Sequence, residues 1–231
     1  MRAVVLTGAS RGLGAAFFET LFKRGDKIMG LARSFPADQR TLAEEHPDRV
    51  QLKHIDLAAG PFPAAAEIEA FGYGAEQAIL INNAATVEPI GAVGTLAAAS
   101  IETAIAVNLA APMILTNIFL AAVKPLDARV RVLFVTSSAA QNPKPGTSLY
   151  SATKAGGEAF FVALRAELAG DPRFGVHVVD PGGMDTDMHA TLRSDAVSFP
   201  DQERLRRVAA EGRLGSPVAV AHRILRSVGL D

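Results

Sequence analysis

Short apolar runs recur along this chain, each bounded by glycine, proline or charge. Arg2-Ala-Val-Val-Leu-Thr7, Lys27-Ile-Met-Gly-Leu-Ala32, Val50–Ile55, Ala78-Ile-Leu-Ile81, Val130–Val135 and Val176–Val179 have the length and residue types of buried strands. Between them the apolar period changes. Ala15-Ala-Phe-Phe-Glu-Thr-Leu-Phe22 has helical spacing, as do residues around Thr41–Glu45, Ala104–Val123, Tyr150–Leu168 and Val218–Val228. Short apolar strands that alternate with helices predict an α/β fold, a doubly wound parallel sheet covered on both faces. No linker, repeat or low-complexity block interrupts the pattern, so one domain is expected over residues 1–231. Gly60-Pro-Phe-Pro63 reads as a turn-rich loop. Met188–Gly215 is rich in charge, lacks a strand signal and reads as the clearest loop.

Composition narrows the functional classes. The chain has 231 residues, 49% hydrophobic and 20% charged, which excludes disorder and supplies a core. A formal net charge of -1 gives no global field for nucleic acid or an anionic membrane. The absence of cysteine excludes disulfides, thiolate catalysis and zinc–thiolate sites, and no metal site is read. Residues 2–7 already read as a strand, leaving no room for a signal peptide, and a soluble cytoplasmic protein is expected. Ala104–Val123 is long enough to span a bilayer, but Asn108, Pro112, Thr116 and Asn117 interrupt it. A helix buried in a core or at a subunit interface is the better reading.

The polar residues that carry chemistry fall at strand ends. Thr7-Gly-Ala-Ser-Arg-Gly-Leu-Gly14 joins the first strand to the first helix. Its glycines allow a tight turn, and the helix start offers free N–H groups and a positive dipole end, which suit a pyrophosphate. The spacing is G-x-x-x-G-x-G, neither the usual dinucleotide fingerprint nor a Walker A loop. Asp56, after the third strand, reads equally as an acceptor for an adenine amino group and as a turn cap. Asn82-Asn-Ala-Ala85 follows the fourth strand. Asn108 is an amide in an aliphatic run and needs partners if buried. Ser137 and Ser138 end the fifth strand; Pro181-Gly-Gly-Met-Asp-Thr186 follows the sixth. Tyr150 and Lys154 share a helix face, and a nearby ammonium is expected to lower the phenol pKa and ready it for proton transfer.

In this order the motifs resemble the short-chain dehydrogenase/reductase family, over essentially the whole chain. The resemblance implies a centre of Ser137, Tyr150 and Lys154 assisted by Asn108. Tyr150 would be the general acid in reduction and base in oxidation. Lys154 would hold the nicotinamide ribose, Ser137 the substrate oxygen, and Asn108 a water in a proton relay. Ser137 rather than Ser138 is chosen because it stands thirteen residues before the tyrosine, the family's usual spacing, and because alternation sends the two side chains to opposite sides. The implied cofactor contacts are Gly8, Ser10, Arg11, Gly12, Leu13, Gly14, Arg33, Ser34, Asp56, Leu57, Asn83, Ala84, Tyr150, Lys154, Pro181, Gly182, Met184 and Thr186. Family members usually carry a seventh strand after the last helix. Here the chain ends straight after Val218–Val228, so six strands are expected, with the seventh missing or very short.

Within the family, Pro181–Met188 and Ser137–Pro143 look most like the sepiapterin reductase and benzil reductase branch, which implies ketone, diketone or pterin-like carbonyl substrates. The second strand bears on the cofactor. Its end places Ala32 where an acid would select NAD, and Arg33 comes next; with Arg11 on the same side, two guanidiniums suit a 2′-phosphate, so NADP(H) is expected. Two surface arginines in solvent are the plainer alternative. The apolar helices Ala104–Val123 and Tyr150–Leu168 imply a homodimer built on them. A non-catalytic NADP(H)-binding sensor is the rival to a carbonyl reductase, and the filled catalytic positions argue against it.

Overall fold

Six parallel strands form one sheet in the order β3-β2-β1-β4-β5-β6, in a computed structural model that describes residues 1–195, 197 and 199–230. The strands are β1 (Arg2–Thr7), β2 (Lys27–Ala32), β3 (Val50–His54), β4 (Gln77–Asn82), β5 (Arg129–Val135) and β6 (Phe174–Val179). Apolar side chains point to both faces, as strands buried on both sides require. Val4, Leu6, Ile79 and Ile81 meet Phe17, Phe18 and Leu21 of α1 (Gly12–Lys23), with Ile224 and Leu225 of α9 (Pro217–Ser227). Ala3, Val5, Ala78 and Leu80 face the other way. They meet Ile68 and Phe71 of α3 (Ala65–Gly72), Leu115 and Phe119 of α5 (Ala111–Val123), and Phe161 and Leu164 of α6 (Ser148–Glu167). The period-2 alternation thus splits one apolar run into two cores.

The strand order reverses between β1 and β4, and crevices at such switch points open beyond the carboxyl ends of the strands. The glycine turn follows β1, Asn83 follows β4, Ser137 lies beyond β5 and Asp180 follows β6. The fold therefore brings every chemistry-bearing segment to one edge of the sheet.

Helices differ from the sequence reading in four places. α2 (Ala37–Glu45) begins before its apolar pattern does. The helix read from Ala104 starts at Ala98 as α4 (Ala98–Ile105), passes through a π-turn at Ala106–Ala110 and continues as α5. Most of residues 98–103 are exposed, so no periodicity announced them. By length and composition Ala98–Val123 could cross a bilayer; in the fold it packs on α3, α6, β4 and β5 with Asn108 buried within it. The stretch read as a loop over Met188–Gly215 carries α7 (Asp187–Arg193) and α8 (Gln202–Ala210). α8 buries no residue, and its i,i+3 pairs Asp201–Arg204 and Glu203–Arg206 stabilise it instead. Its charge density hid the helical period. α3 went unread because only Ile68 and Phe71 mark its apolar face.

Candidate active site

The glycine turn is fixed by contacts that leave no room for substitution. A β-carbon on Gly14 would lie 1.9 Å from the Gly8 carbonyl oxygen. Thr7 Oγ1 accepts from the backbone N–H groups of Asn83 at 2.9 Å and Ala84 at 3.0 Å, stitching β1 to β4. The Asn83 amide donates to Thr7 O at 3.0 Å and Gly8 O at 3.4 Å. Its side-chain amide therefore braces the turn. Leu13 is buried in the core beneath the turn. Ser10 is half-buried and Arg11 exposed. The first turn of α1 has no side-chain cap and no acidic residue, so its N–H groups and dipole are left to an anion. That chemistry fits the diphosphate of a dinucleotide.

The second wall of the crevice is exposed. β2 ends at buried Ala32; Arg33 and Ser34 follow in solvent, and Arg33 has no ion-pair partner among the described residues. Asp56 is exposed as well. Its Oδ1 accepts from Ala58 N at 2.9 Å, so it is a turn cap, with its other oxygen outside that bond. Leu57 packs half-buried against the core. Arg11 does not stand beside Arg33 as an unpaired charge: its guanidinium lies 3.3 Å from Asp187 at the start of α7.

At the far side, Ser137, Tyr150 and Lys154 meet. Tyr150 lies in the first turn of α6 and Lys154 one turn on, with Lys154 Nζ 5.8 Å from the Tyr150 ring centroid. Lys154 is buried, donates to Val135 O at 2.7 Å and sits 4.9 Å from the Phe134 ring centroid. Burial pulls its pKa down to about 8. Ser137 Oγ accepts from Ala139 N at 3.2 Å, and the Ser137 hydroxyl lies near enough to the Tyr150 phenol to favour its ionised form. Ser138 is exposed and opens a 3₁₀ turn over Ser138–Ala140. Alternation past β5 has turned one serine to the tyrosine and the other to solvent.

The phenol itself corrects an expectation. Its pKa is raised, not lowered: burial dominates, the Ser137 hydrogen bond offsets part of it, and the Asp180 carboxylate adds to it. Lys154 Nζ lies over the ring, 5.8 Å from its centroid, and desolvation decides the direction. Asp180 escaped the sequence reading, although its place just before Pro181-Gly182 put it at the end of β6. It accepts from Gly182 N at 2.9 Å. Pro181 is buried, its carbonyl accepting from Arg223 at 2.7 Å; Met184 is half-buried. Thr186 caps α7, and its methyl lies 3.4 Å from where a β-carbon on Gly12 would sit.

Asn108 is fully buried in the π-turn of the α4–α5 helix. Its Oδ1 accepts from Thr86 N at 2.8 Å, and its Nδ2 donates to Thr86 O at 2.8 Å and Thr153 Oγ1 at 3.2 Å. The side chain ties the loop after β4 to α6.

A family model described as short chain dehydrogenase matches residues 2–197. The chain belongs to the short-chain dehydrogenase family. Members use NAD(P)(H), and oxidoreductase chemistry on a small molecule follows from membership. The benzil reductase ((S)-benzoin forming) of Bacillus cereus is 31% identical over 231 residues, spanning 97% of this chain and 92% of that protein. The Bacillus subtilis protein of the same description is 30% identical over 229 residues, with the same coverage of both chains. Among solved structures, the KRED1-Pglu enzyme superposes with a TM-score of 0.80 over 99% of this chain and 95% of its own, at 24% identity.

Proposed function

We propose that this short-chain dehydrogenase is an NADP(H)-dependent carbonyl reductase. One observation carries the reading: Ser137, Tyr150 and Lys154 converge beyond the carboxyl ends of the strands, with the Ser137 hydroxyl beside the phenol and Lys154 Nζ 5.8 Å from the Tyr150 ring centroid. A nicotinamide dinucleotide, held by the glycine turn and Lys154, would supply the hydride for the carbonyl carbon. The protein supplies the proton and the geometry. A raised pKa keeps Tyr150 protonated at neutral pH, the state that a general acid needs. Tyr150 gives its hydroxyl proton to the carbonyl oxygen. Ser137 turns its own O–H from the phenol to that oxygen and holds it. Lys154, with a pKa of about 8, is largely an ammonium at pH 7 and is placed to hold ribose hydroxyls. Asn108 holds the loop after β4 against α6 and so fixes the floor of the site.

The 2′-phosphate of NADP(H) is our reading from Arg33, an exposed cation with no acidic residue at the end of β2. Arg11, in the glycine turn after β1, would join it on leaving Asp187. The likeness to benzil reductases, whose description names a diketone, supports ketones and diketones as substrates. Ile105 at 40% exposure, Ile114 at 44% and Val162 at 55% put an apolar surface on the α4–α5 and α6 helices, which supports a homodimer joined there. Light scattering tests the dimer; a stable monomer or tetramer refutes it.

NADPH oxidation with a panel of aldehydes, ketones and diketones tests the activity. Turnover of aryl ketones or diketones that is lost in Tyr150→Phe is the expected result. Tight NADPH binding with no turnover of any carbonyl would overturn it in favour of a cofactor-binding sensor.

A further inference from the structure

The described residues between 185 and 214 (185–195, 197 and 199–214) leave the fold and return to it at one point. Met184 pairs with Gly215 in an isolated bridge, Asp185 N donates to Gly215 O at 3.2 Å, and Gly215 N donates to Gly183 O at 3.0 Å. α7 and α8 lie inside this excursion. Its ion pairs Arg193–Asp185, Arg204–Asp201, Arg206–Asp195 and Arg213–Glu211 close on themselves, and Arg11–Asp187 ties only its first turn to the glycine turn. Among its described residues, only His189 and Phe199 are buried.

Phe199 reaches out of the excursion to Gly146. A β-carbon on Gly146 would lie 2.5 Å from Phe199 Cβ, 3.4 Å from its Cγ and 3.7 Å from its Cα. Gly146 has φ +85°, a left-handed conformation that disfavours any side chain there, so the seat for Phe199 is open by backbone shape as well as by sequence. The Gly146 carbonyl in turn accepts from Gly91 N at 2.9 Å. Next along the chain, Thr147 precedes α6, whose first turn holds Tyr150. Three segments, from the loop after β4, the loop before α6 and the excursion, thus converge beside the proposed acid.

We propose that Phe199 is a clasp: seated on Gly146, it holds residues 185–214 down as a lid over the Tyr150 end of the crevice. It is a positioning residue that forms the substrate wall by fixing the lid and leaves the reacting atoms to others. The clasp stands on packing alone; only its kinetic consequence rests on the carbonyl reductase reading. Both large core clusters lie elsewhere, so losing the ring opens the lid locally and leaves the sheet intact.

The lid carries Arg193, Arg204, Arg206, Arg207 and Arg213, which makes brief trypsin digestion of the full-length protein a direct reading of opening. Phe199→Ala should speed cleavage within residues 193–213 by at least about tenfold, since cutting follows the open population. Phe199→Leu, which keeps an apolar plug, should recover much of the protection. With aryl ketones, Phe199→Ala should raise KM by about the factor by which the closed population falls, with kcat changed far less and the NADPH Kd within about twofold. Unchanged cleavage in Phe199→Ala overturns the clasp, as does cleavage that spreads into the sheet. A kcat loss with KM unchanged overturns the positioning role. If no variant turns over any carbonyl while trypsin protection still tracks residue 199, the clasp stands and the reductase reading falls.

Discussion

The glycine turn and the lid are built by opposite means. The turn is packed so closely that one added carbon at Gly14 would collide with backbone, and Thr7 and Asn83 lock it to β4. The lid is mostly polar, paired to itself and anchored by two buried side chains. A dinucleotide presents the same diphosphate and ribose at every turnover, so a rigid receptor suits it. A carbonyl substrate must enter and leave, which a weakly anchored wall allows. The two regions should therefore fail differently: changes on the rigid side strike kcat or cofactor choice, and changes on the lid strike KM.

The largest expected effect lies on the rigid side. Tyr150→Phe removes the transferable proton and keeps the ring, so kcat should fall by about 10²–10⁴ with the NADPH Kd nearly unchanged. Stopped-flow single turnovers and fluorescence titration measure the two. A Tyr150→Phe enzyme of near-normal kcat would remove the phenol from the mechanism. Next come the serines. Ser137 faces the phenol and Ser138 faces solvent, so Ser137→Ala should lose at least about tenfold more kcat than Ser138→Ala. The reverse order would mean that the placing of Ser137 beside Tyr150 plays no part in turnover.

Lys154 tests whether the rigid side stores strain. Its folded pKa of about 8 lies below the ordinary lysine value, so burying the ammonium destabilises the fold fully below pH 8. That penalty fades as pH rises from 8 toward the unfolded pKa. Lys154→Met should abolish activity yet stabilise the protein at pH 7 by up to about 3 kcal/mol, less what losing the bond to Val135 O costs. The gain should shrink between pH 8 and 10. Denaturant titrations of both proteins across that range decide it; a Met variant less stable at pH 7 would show that the ammonium is well solvated or well paired.

Legibility in the sequence followed the same division. Each strand lies within two residues of its apolar run, because burial on both faces leaves no ambiguity of pattern. Ser137, Tyr150 and Lys154 were readable because short spacings and strand ends fix where they fall. Roles set by distant packing were not. Asn83 and Asn108 turned inward to satisfy backbone groups, and the Tyr150 pKa followed desolvation that no local spacing encodes. The lid was least legible: α8 is held by surface ion pairs, and Gly146 as the seat of Phe199 joins positions far apart in sequence.

Cofactor choice sharpens the comparison at the edge of the rigid side. Ala32→Asp with Arg33→Ala puts a carboxylate where the 2′-phosphate would lie and removes its free cation. The kcat/KM ratio of NADPH to NADH should fall by at least about tenfold. An unchanged ratio would mean that Arg33 serves only solvent.

The smallest effect should come from the ion pair that joins the two regions. Arg11 and Asp187 are both exposed, 3.3 Å apart, so their attraction contributes at most about 1 kcal/mol to stability. Thermal melting of Asp187→Asn should match the parent closely. The pair nevertheless sets two demands on one guanidinium, since Arg11 cannot hold Asp187 and turn fully to a 2′-phosphate. Releasing it should tighten NADPH binding by up to about fivefold and leave NADH binding unchanged, because only NADPH carries the group that competes. Equal changes for the two cofactors would show instead that Asp187 acts through the lid, and the turn and the lid would then have to be treated as one mechanical unit.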